Sequence, residues 1–541
     1  MAFIINSKVV TPTKIVKPPP KGLVYEIPER YKNSFYLANA SLFDSTNWFL
    51  HRTFEIFFPT LKKEIKKYER YKSLNNENLH AKTENLVQVL DQCNSIIDVR
   101  YPIKRDNGEY RIIRGFRVNY GQETGYKSCL GGIRLGPDIT RDHMKGLSVL
   151  SAYRNASLGI NMSGAHGGIK VDPKTYSDNE LKSILEGYTI QLMNKGYCCE
   201  RDIVYPDMSC SVKEMDWIAR TIAKCRGDAS IVTATGKSQE LGGFEHYVKM
   251  LSQASFAALN FVLNNQQMMD KVGLKTGLKD KTFILQGLGK LGAPLAKMLS
   301  ENGAICVGIK DTDAFIYDAK GIDFQKLYEH KMKMGTLKNF GCAKEDTKND
   351  VYTEPCDILI FAAKQRSLSC YIAENVKAKV VLEAAEAPMT PTAHQILTGK
   401  GKIVIPDLYA CSGGTVCSYL EFLKGLQQSG RLSEDALRYS GDIYQSILKN
   451  MSGKEILEAG GVTRHLETHV DEKTLIDSLD CILTDVGNDI VKLNEVNKLG
   501  TDLRTPAYML GYCSENPSTV APFTNVAFRL QCDPGFSTVI L

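Results

Sequence analysis

A chain of 541 residues is too long for a single hydrophobic core, and its length predicts two or three domains. Its formal net charge of +6 is spread without any dense block of Lys and Arg, which gives no support to nucleic-acid binding. No run of about 18 apolar residues occurs, so the sequence predicts no membrane-spanning helix.

Residues 1–35 are predicted to be a basic leader or a disordered tail. Several lysines and no acid precede Glu26, as in mitochondrial transit peptides. Against that interpretation, residues 1–25 contain no arginine, and the three prolines at 18–20 prevent a continuous helix. The 15 cysteines are irregularly spaced and predict reduced thiols. The sequence therefore favours the mitochondrial matrix, with the cytoplasm as the alternative.

Residues 36–240 alternate between helix and strand patterns and are predicted to form one domain. The periodicity predicts helices at 45–72, 141–155 and 179–194, and strands of a mixed sheet at 95–99 and 110–118. The helix at 179–194 carries its apolar residues on one stripe, which predicts packing on the sheet.

Residues 241–423 are predicted to form a second domain. After a helix at 244–262, short apolar strands recur with helices between them, at 281–286, 304–309, 357–363, 380–383 and 402–406. This alternation is typical of a doubly wound parallel sheet, so the chain as a whole is predicted to be an α/β protein.

A glycine motif at the first strand of this second domain predicts a dinucleotide site. Gly287, Gly289 and Gly292 follow the strand and open a helix, and Asp311 ends the next strand. The glycines allow a tight turn, close approach to a pyrophosphate and helix–strand packing, while the acid can accept from the ribose hydroxyls. We expect NAD, although Lys310 keeps NADP open. The alternative is a degenerate unit that binds no nucleotide.

Several further motifs resemble the glutamate, leucine, phenylalanine and valine dehydrogenase family, in particular hexameric glutamate dehydrogenases of the mitochondrial type. These motifs are Gly131-Gly132-Ile133-Arg134, Pro206-Asp207-Met208-Ser209, Thr235-Gly236-Lys237, Ile405-Pro406-Asp407-Leu408-Tyr409 and Asp502-Leu503-Arg504-Thr505. The resemblance implies NAD(P)-dependent oxidative deamination of L-glutamate. It also implies a substrate and oligomerisation domain at 36–240, a Rossmann-like domain at 241–423, an antenna-like helical segment at 424–470, and C-terminal helices at 471–541.

The same resemblance implies that a substrate site has been altered. The family uses three lysines and an aspartate, and this chain has Leu130, Arg154 and His166 at the lysine positions. Asp207, the family's proton-shuttling acid, is retained, as is Ser418 at the contact with the substrate side-chain carboxylate. Leu130 removes a cation, Arg154 keeps the charge with a different geometry, and His166 replaces the catalytic amine.

The nicotinamide side of the predicted site also departs from the family. Its Ala-Thr-Gly corresponds to residues 250–252, here Met-Leu-Ser, and its Gly-Ala-Asn ends here in Glu386. Cys411 stands in place of the Asn before the glycine pair. A carboxylate at Glu386 would repel a nearby pyrophosphate, which predicts weakened cofactor binding. No metal site is predicted.

Two functions from different classes follow from these substitutions. In the first, the protein is catalytically impaired or inactive, and it assembles as a homo-hexamer or as a hetero-oligomer with an active homologue. In the second, it is an active, divergent amino-acid dehydrogenase in which His166 and Asp207 share proton transfer and Arg154 holds a carboxylate. Leu130 and His166 together favour the first.

Overall fold

The computed structural model describes residues 25–511, except for 68, 122–127, 161, 199–200, 342–343, 347–350, 364 and 429–471. Most of the predicted leader and nearly all of the antenna-like segment therefore lie outside the described residues. Across the described part of the chain, none of the helices combines the length and apolar character needed to cross a lipid bilayer.

The first domain contains a mixed five-stranded sheet, as predicted. Its strands are β1 (Ser95–Lys104), β2 (Tyr110–Tyr120), β3 (Cys129–Leu135), β4 (Ser163–Ile169) and β5 (Asp202–Pro206). They lie in the order β1-β2-β4-β3-β5, antiparallel up to β4 and parallel from β4 to β5. Its helices are α1 (Ser34–Asn39), α2 (Leu42–Lys66), α3 (Glu69–Lys72), α4 (Asn76–Leu90), α5 (Arg141–Ser157), α6 (Asp178–Met193) and α7 (Val212–Arg226).

The helix predicted at residues 45–72 is divided in the structure. It ends as α2 at Lys66 and resumes as the single turn α3. Lysines spaced four apart, at 62 and 66 and at 63 and 67, repel one another there and weaken a continuous helix.

A buried ion pair fixes the middle of the first sheet. Arg117 on β2 is fully buried and binds the carboxylate of Asp202 on β5, with Nη2 2.5 Å from Oδ1. The same guanidinium donates to the carbonyl of Gly132 on β3 at 2.9 Å. Because a buried charge needs close partners, this contact ties together three strands whose ends form the candidate site.

The second domain is the predicted doubly wound sheet, with an unpredicted extension. Its strands are β6 (Thr282–Gln286), β7 (Ile305–Lys310), β8 (Phe315–Tyr317), β9 (Lys344–Asp346), β10 (Ile358–Phe361), β11 (Val380–Glu383) and β12 (Ile403–Ile405), in the order β12-β11-β10-β6-β7-β8-β9. From β12 to β7 all neighbours are parallel, whereas β8 and β9 are antiparallel. These two strands have three residues each, too few to give a periodic pattern.

The strand order places the glycine motif at the point where the sheet reverses direction. The chain passes from β6 to β7 on one side and later returns to β10 on the other side of β6. In doubly wound sheets, ligands bind in the crevice at this switch point. The accompanying helices are α8 (Tyr247–Asn264), α9 (Gln266–Val272), α10 (Gly292–Glu301), α11 (Phe324–Met334), α12 (Cys370–Asn375) and α13 (Pro391–Gly399).

The last helices connect the two domains. They are α14 (Asp407–Ala410), α15 (Gly413–Gln428), α16 (Glu472–Val496) and α17 (Arg504–Leu510). Glu421 on α15 is buried and pairs with Lys237 of the first domain, with Oε1 2.7 Å from Nζ. The guanidinium of Arg504 lies 4.4 Å from the ring centre of Phe49 on α2. The two domains are therefore joined by charged and aromatic contacts.

Candidate active site

A chain of ion pairs crosses the cleft near the carboxyl ends of β3 and β5. Arg134 on β3 donates from Nε to Asp207 Oδ2 at 2.6 Å and from Nη2 to Glu386 Oε2 at 2.7 Å. Arg154 on α5 donates from Nη1 to the other oxygen of Glu386 at 2.9 Å. Glu386 follows β11 in the second domain, whereas both arginines belong to the first. The cleft thus contains two cations and two carboxylates whose charges balance.

These pairs change the ionisation of the groups that form them. Burial alone raises the pKa of Asp207, but the Arg134 charge and the hydrogen bond from His166 hold that pKa well below its usual value. Burial alone lowers the pKa of Arg154, but the charge of Glu386 raises it above its usual range. Asp207 is therefore a stable anion at neutral pH, and Arg154 is a stable cation.

His166 lies on β4 and is fully buried. Its Nε2 is 2.8 Å from Asp207 Oδ2, and its Nδ1 is 3.5 Å from the hydroxyl of Ser151 on α5. Burial lowers the pKa of His166, against the effect of Asp207, so the ring is neutral at pH 7. Because the carboxylate only accepts, Nε2 carries the proton and Nδ1 carries the lone pair.

Gly132 makes room for this His166–Asp207 contact. A Cβ atom at Gly132 would lie 2.8 Å from His166 Cε1 and 2.9 Å from the Cβ of Asp207. Any larger residue would push the imidazole and the carboxylate apart. This steric requirement explains why a glycine precedes Ile133 and Arg134 in the strand.

Leu130 lies on β3 in an apolar cluster and is completely buried. The cluster also contains Ile203, Tyr205 and three residues of α15, among them Phe422. The Leu130 side chain is uncharged, where the family resemblance implies a lysine. A substrate carboxylate placed there would lose its hydration without gaining a charged partner, at a cost of several kcal/mol.

Ser418 lies on α15 and is also fully buried. Its hydroxyl donates to the hydroxyl of Tyr247 at 3.2 Å. Cys411, which precedes α15, is 3.4 Å from the carbonyl of Glu383. Burial raises the pKa of the Cys411 thiol well above its usual value, so this sulfur is protonated.

The glycine motif has the geometry that a dinucleotide loop requires. Gly287 has φ +93°, and α10 begins at Gly292, where a Cβ would lie 1.9 Å from the Gly287 carbonyl oxygen. A Cβ at Gly289 would meet nothing within 4 Å, so the loop is open to a ligand. The described residues thus fit the pyrophosphate of a dinucleotide at the first turn of α10.

The predicted ribose acid already has a partner. Lys331 on α11 forms an ion pair with Asp311, and its Nζ also donates to the Leu288 carbonyl at 2.9 Å. A bound ribose would share Asp311 with this ammonium group. The segment at residues 250–252 contacts the same loop, because the Ser252 hydroxyl donates to the Leu291 carbonyl at 3.0 Å.

Sequence reasoning missed two residues of the site. Arg134 was recognised only as part of a motif, yet it contacts Asp207, Glu386 and, at 3.3 Å from Nη1, the Nε2 of His143. The available signal for Arg134 is its place on a strand, two residues after the Gly131-Gly132 pair. His143 had no local signal, because it is one polar residue in the first turn of α5.

Three groups in the cleft have a spacing that suits a metal ion. One ligand atom each of His166, Asp207 and Glu386 lies within 4.8 Å of the others. Arg134 donates to both of the carboxylates, however, so a guanidinium already supplies positive charge at this position. A metal ion would have to displace it.

Comparisons with known proteins agree with this architecture. A family profile described as "Glu/Leu/Phe/Val dehydrogenase, dimerisation domain" matches residues 93–224. A second, described as "Glutamate/Leucine/Phenylalanine/Valine dehydrogenase", matches residues 251–456. The mitochondrial glutamate dehydrogenase of Dictyostelium discoideum is 31% identical over 376 residues, which cover 68% of this chain and 74% of the relative.

Two further proteins are similar over much of the chain. The NADP-specific glutamate dehydrogenase of Saccharolobus shibatae is 31% identical over 350 residues, covering 64% of this chain and 79% of that protein. The crystal structure of the hetero-hexameric glutamate dehydrogenase of Thermus thermophilus, in its Leu-bound form, superposes with a TM-score of 0.65 at 23% identity. It covers 94% of this chain and 99% of that one, and at this identity it establishes the fold alone.

The contact between His143 and Arg134 predicts a pH-dependent stability. Burial, followed by the charge of Arg134, lowers the pKa of His143 from 6.5 to about 4. The folded state therefore takes up this proton less readily than the unfolded chain. The stability contribution is complete above pH 6.5 and is lost as the pH falls towards 4.

We expect His143→Gln, which keeps an acceptor and cannot be protonated, to reduce this dependence. Between pH 7 and pH 5 the natural chain should lose about 2 kcal/mol more unfolding free energy than the variant. Urea unfolding at several pH values measures the difference. If the unfolding free energies of the two proteins change equally with pH, the prediction is wrong.

Proposed function

The chain belongs to the glutamate, leucine, phenylalanine and valine dehydrogenase family, and we propose that it is a glutamate dehydrogenase-like member with severely impaired or absent activity on glutamate. The family reaction is the NAD(P)-dependent oxidative deamination of L-glutamate to 2-oxoglutarate and ammonia. The observation that carries the proposal is the complete burial of His166, hydrogen-bonded to Asp207 at 2.8 Å, at the position where the family resemblance implies the catalytic lysine.

The hydrogen bonds of His166 do not suit a catalytic base. Its protonated Nε2 donates to Asp207, and its lone pair on Nδ1 is directed towards Ser151, which is itself 1% exposed. A base must reach the proton that it removes, either directly or through one water. A lysine ammonium would supply positive charge at this point, whereas the neutral ring supplies none.

Leu130 supports the same proposal through binding rather than chemistry. Glutamate carries two carboxylates, and each requires a charged or well-bonded partner when it leaves water. Leu130 offers only apolar contact at 0% exposure. The two defects affect different steps, so the correction of one would not restore turnover.

We propose that the protein acts as a structural or regulatory subunit. A family-type homo-hexamer is the simplest assembly, and a hetero-oligomer with an active homologue is the other. The edge strand β1 and its neighbour β2 expose Ile96, Tyr110 and Ile112, at 40%, 71% and 67%. Exposed apolar side chains at a sheet edge are typical of a surface that another subunit covers.

A second candidate function is an active, divergent amino-acid dehydrogenase. The observation that favours it is the 2.8 Å contact between His166 and Asp207, which brings two groups capable of proton transfer together. In that case Arg154 would bind a substrate carboxylate, and Leu130 would favour a less polar substrate.

NAD is the proposed cofactor, and the NADP-specific relative supports keeping NADP open. When bound, the nicotinamide ring accepts a hydride. In this chain Gly287, Gly289 and Gly292 would hold the pyrophosphate, and Asp311 would hold the adenosine ribose. We propose that binding is weakened on the nicotinamide side, which faces the altered residues Met250, Glu386 and Cys411.

We further propose a location in the mitochondrial matrix, with the cytoplasm as the alternative. The support is the acid-poor leader and the mitochondrial name of the Dictyostelium relative. Cell fractionation decides between the two, and recovery only in the cytosolic fraction would contradict the first.

An assay of NADH formation with glutamate tests the impaired function. We expect no measurable turnover by the natural chain, little by His166→Lys, and a limited gain by Leu130→Lys combined with His166→Lys. The loss of an acid–base group typically costs about 10²–10⁴-fold in rate. Leu130→Met with His166→Lys is the matched control, since it restores the amine without the second cation. Robust turnover by the natural chain that His166→Ala abolishes would establish the second function instead.

Calorimetric titration with NAD and with ADP-ribose tests the cofactor proposal. We expect weak binding of both, with dissociation constants within about threefold, because the adenosine half provides most of the contact. Gly289→Ala is the control, since its methyl group enters open space in the protein and blocks only an approaching pyrophosphate. NAD binding more than tenfold tighter than ADP-ribose would show that the nicotinamide site is intact.

Light scattering of the purified chain tests the assembly. Six copies of the 60.2-kDa chain give about 360 kDa, and we expect this mass, since the exposed apolar strands would otherwise contact water. Ile112→Lys should shift the mass towards smaller species, whereas Lys320→Glu, on a surface turn of the other domain, should leave it unchanged. A monomer at all concentrations, also after mixing with an active homologue, would contradict the proposal.

A further inference from the structure

Glu386 places its carboxylate between two buried cations of the other domain. Its Oε2 is 2.7 Å from Arg134 Nη2, and its Oε1 is 2.9 Å from Arg154 Nη1. The side chains of the two arginines are 4% and 2% exposed, and that of Glu386 is 15% exposed. Each oxygen of one carboxylate therefore binds a different guanidinium, as the carboxylate of a small ligand would.

We propose that Glu386 is an internal ligand of this cleft and determines its specificity, because its carboxylate occupies the arginine pair and excludes the carboxylates of dicarboxylate ligands. The inference concerns the same cleft as the proposed function and rests on it for the ligand class. It assigns the exclusion of dicarboxylates to Glu386, and this assignment does not depend on Leu130 or His166.

The charges in the cleft support this assignment. Arg134 and Arg154 contribute two positive charges, Asp207 and Glu386 contribute two negative charges, and His166 is neutral. The net charge of these five groups is zero, and both guanidinium groups are already paired, so an entering carboxylate must displace Glu386. A tethered group competes at an effective concentration of about millimolar or higher, which a free ligand must exceed.

The residue that follows Glu386 has an unusual backbone conformation that buried hydrogen bonds maintain. Ala387, the next residue, has φ +44°, a conformation that residues with a side chain rarely adopt. Its N–H donates to Asp407 Oδ2 at 2.8 Å, and Arg504 donates to the other oxygen of Asp407 at 3.0 Å. An unfavourable conformation maintained by buried hydrogen bonds is typical of residues that position a functional group.

Arg154 also retains unused donors. Its Nε and Nη2 are buried and have no hydrogen-bond partner among the described residues. Release of Glu386 would therefore expose a guanidinium that can bind a carboxylate through two parallel hydrogen bonds. The expected ligand of the released cleft is a short dicarboxylate, for which Arg134 offers a second cation.

Calorimetric titration of the full chain with glutarate, a dicarboxylate that cannot be oxidised at an amine, tests the inference. We expect the natural chain to bind glutarate very weakly and Glu386→Gln, which keeps the size and removes the charge, to bind at least about tenfold more tightly. Glu301→Gln, on the exposed face of α10, is the matched control and should behave like the natural chain.

Thermal unfolding provides a second measurement of glutarate binding, which remains usable if Glu386→Gln is less stable than the natural chain. The variant should melt at a lower temperature than the natural chain, and glutarate should raise its melting temperature but not that of the control. Glu386→Asp, one methylene shorter, should bind glutarate with intermediate affinity. Equal glutarate affinities of the natural chain and Glu386→Gln would overturn the inference.

Two further outcomes separate this inference from the proposed function. If Glu386→Gln gains glutarate binding while the natural chain oxidises an amino acid with a single carboxylate, the proposed non-catalytic role is wrong and the internal ligand stands. If the natural chain does not oxidise glutamate and Glu386→Gln gains no glutarate binding, the proposed function stands and the internal ligand is wrong. Titration with zinc chloride is a third experiment. If the natural chain forms a 1:1 zinc complex and Glu386→Gln does not, the partner of the Glu386 carboxylate is a metal ion rather than the arginine pair, and the inference is wrong.

Discussion

Two almost fully buried guanidinium groups, those of Arg134 and Arg154, impose the constraint on which the cleft depends. A cation removed from water requires an anion and hydrogen bonds at close range, or the fold loses several kcal/mol. Asp207 and Glu386 provide these partners. Because Glu386 comes from the second domain, the charge balance of the cleft also holds the domains together. The side chains that neutralise one another in the cleft are therefore also the ones that join the domains.

The same principle recurs at other points where elements meet. Arg117 with Asp202 joins three strands of the first sheet, and Lys237 with Glu421 joins that domain to α15. Arg504 binds both Glu383 and Asp407, which lie at the ends of neighbouring strands of the second sheet. Each pair is nearly inaccessible to solvent, and each fixes a segment that reaches the cleft. The site is thus supported by buried charge as much as by apolar packing.

The residues around the cleft combine an open glycine loop, a buried anion and an apolar cluster. The glycine loop keeps its open turn, and Asp207 remains an anion beside His166. Leu130 lies in an apolar cluster, which stabilises the fold by burial. The scaffold does not depend on the chemistry of the cleft, because fold and function depend on different residues.

The sequence by itself determined the element types, the mixed and doubly wound sheets, and the glycine turn. These features are local: periodicity of apolar residues selects helix or strand, and Gly287 with φ +93° is required within a single turn. Only the tertiary structure decided the partner of Glu386. Its contacts to Arg154 and Arg134 span 232 and 252 residues, and no local pattern specifies pairs at that separation. From the sequence Glu386 was expected beside a pyrophosphate, whereas the folded chain directs its carboxylate to two arginines, since buried opposite charges attract at short range.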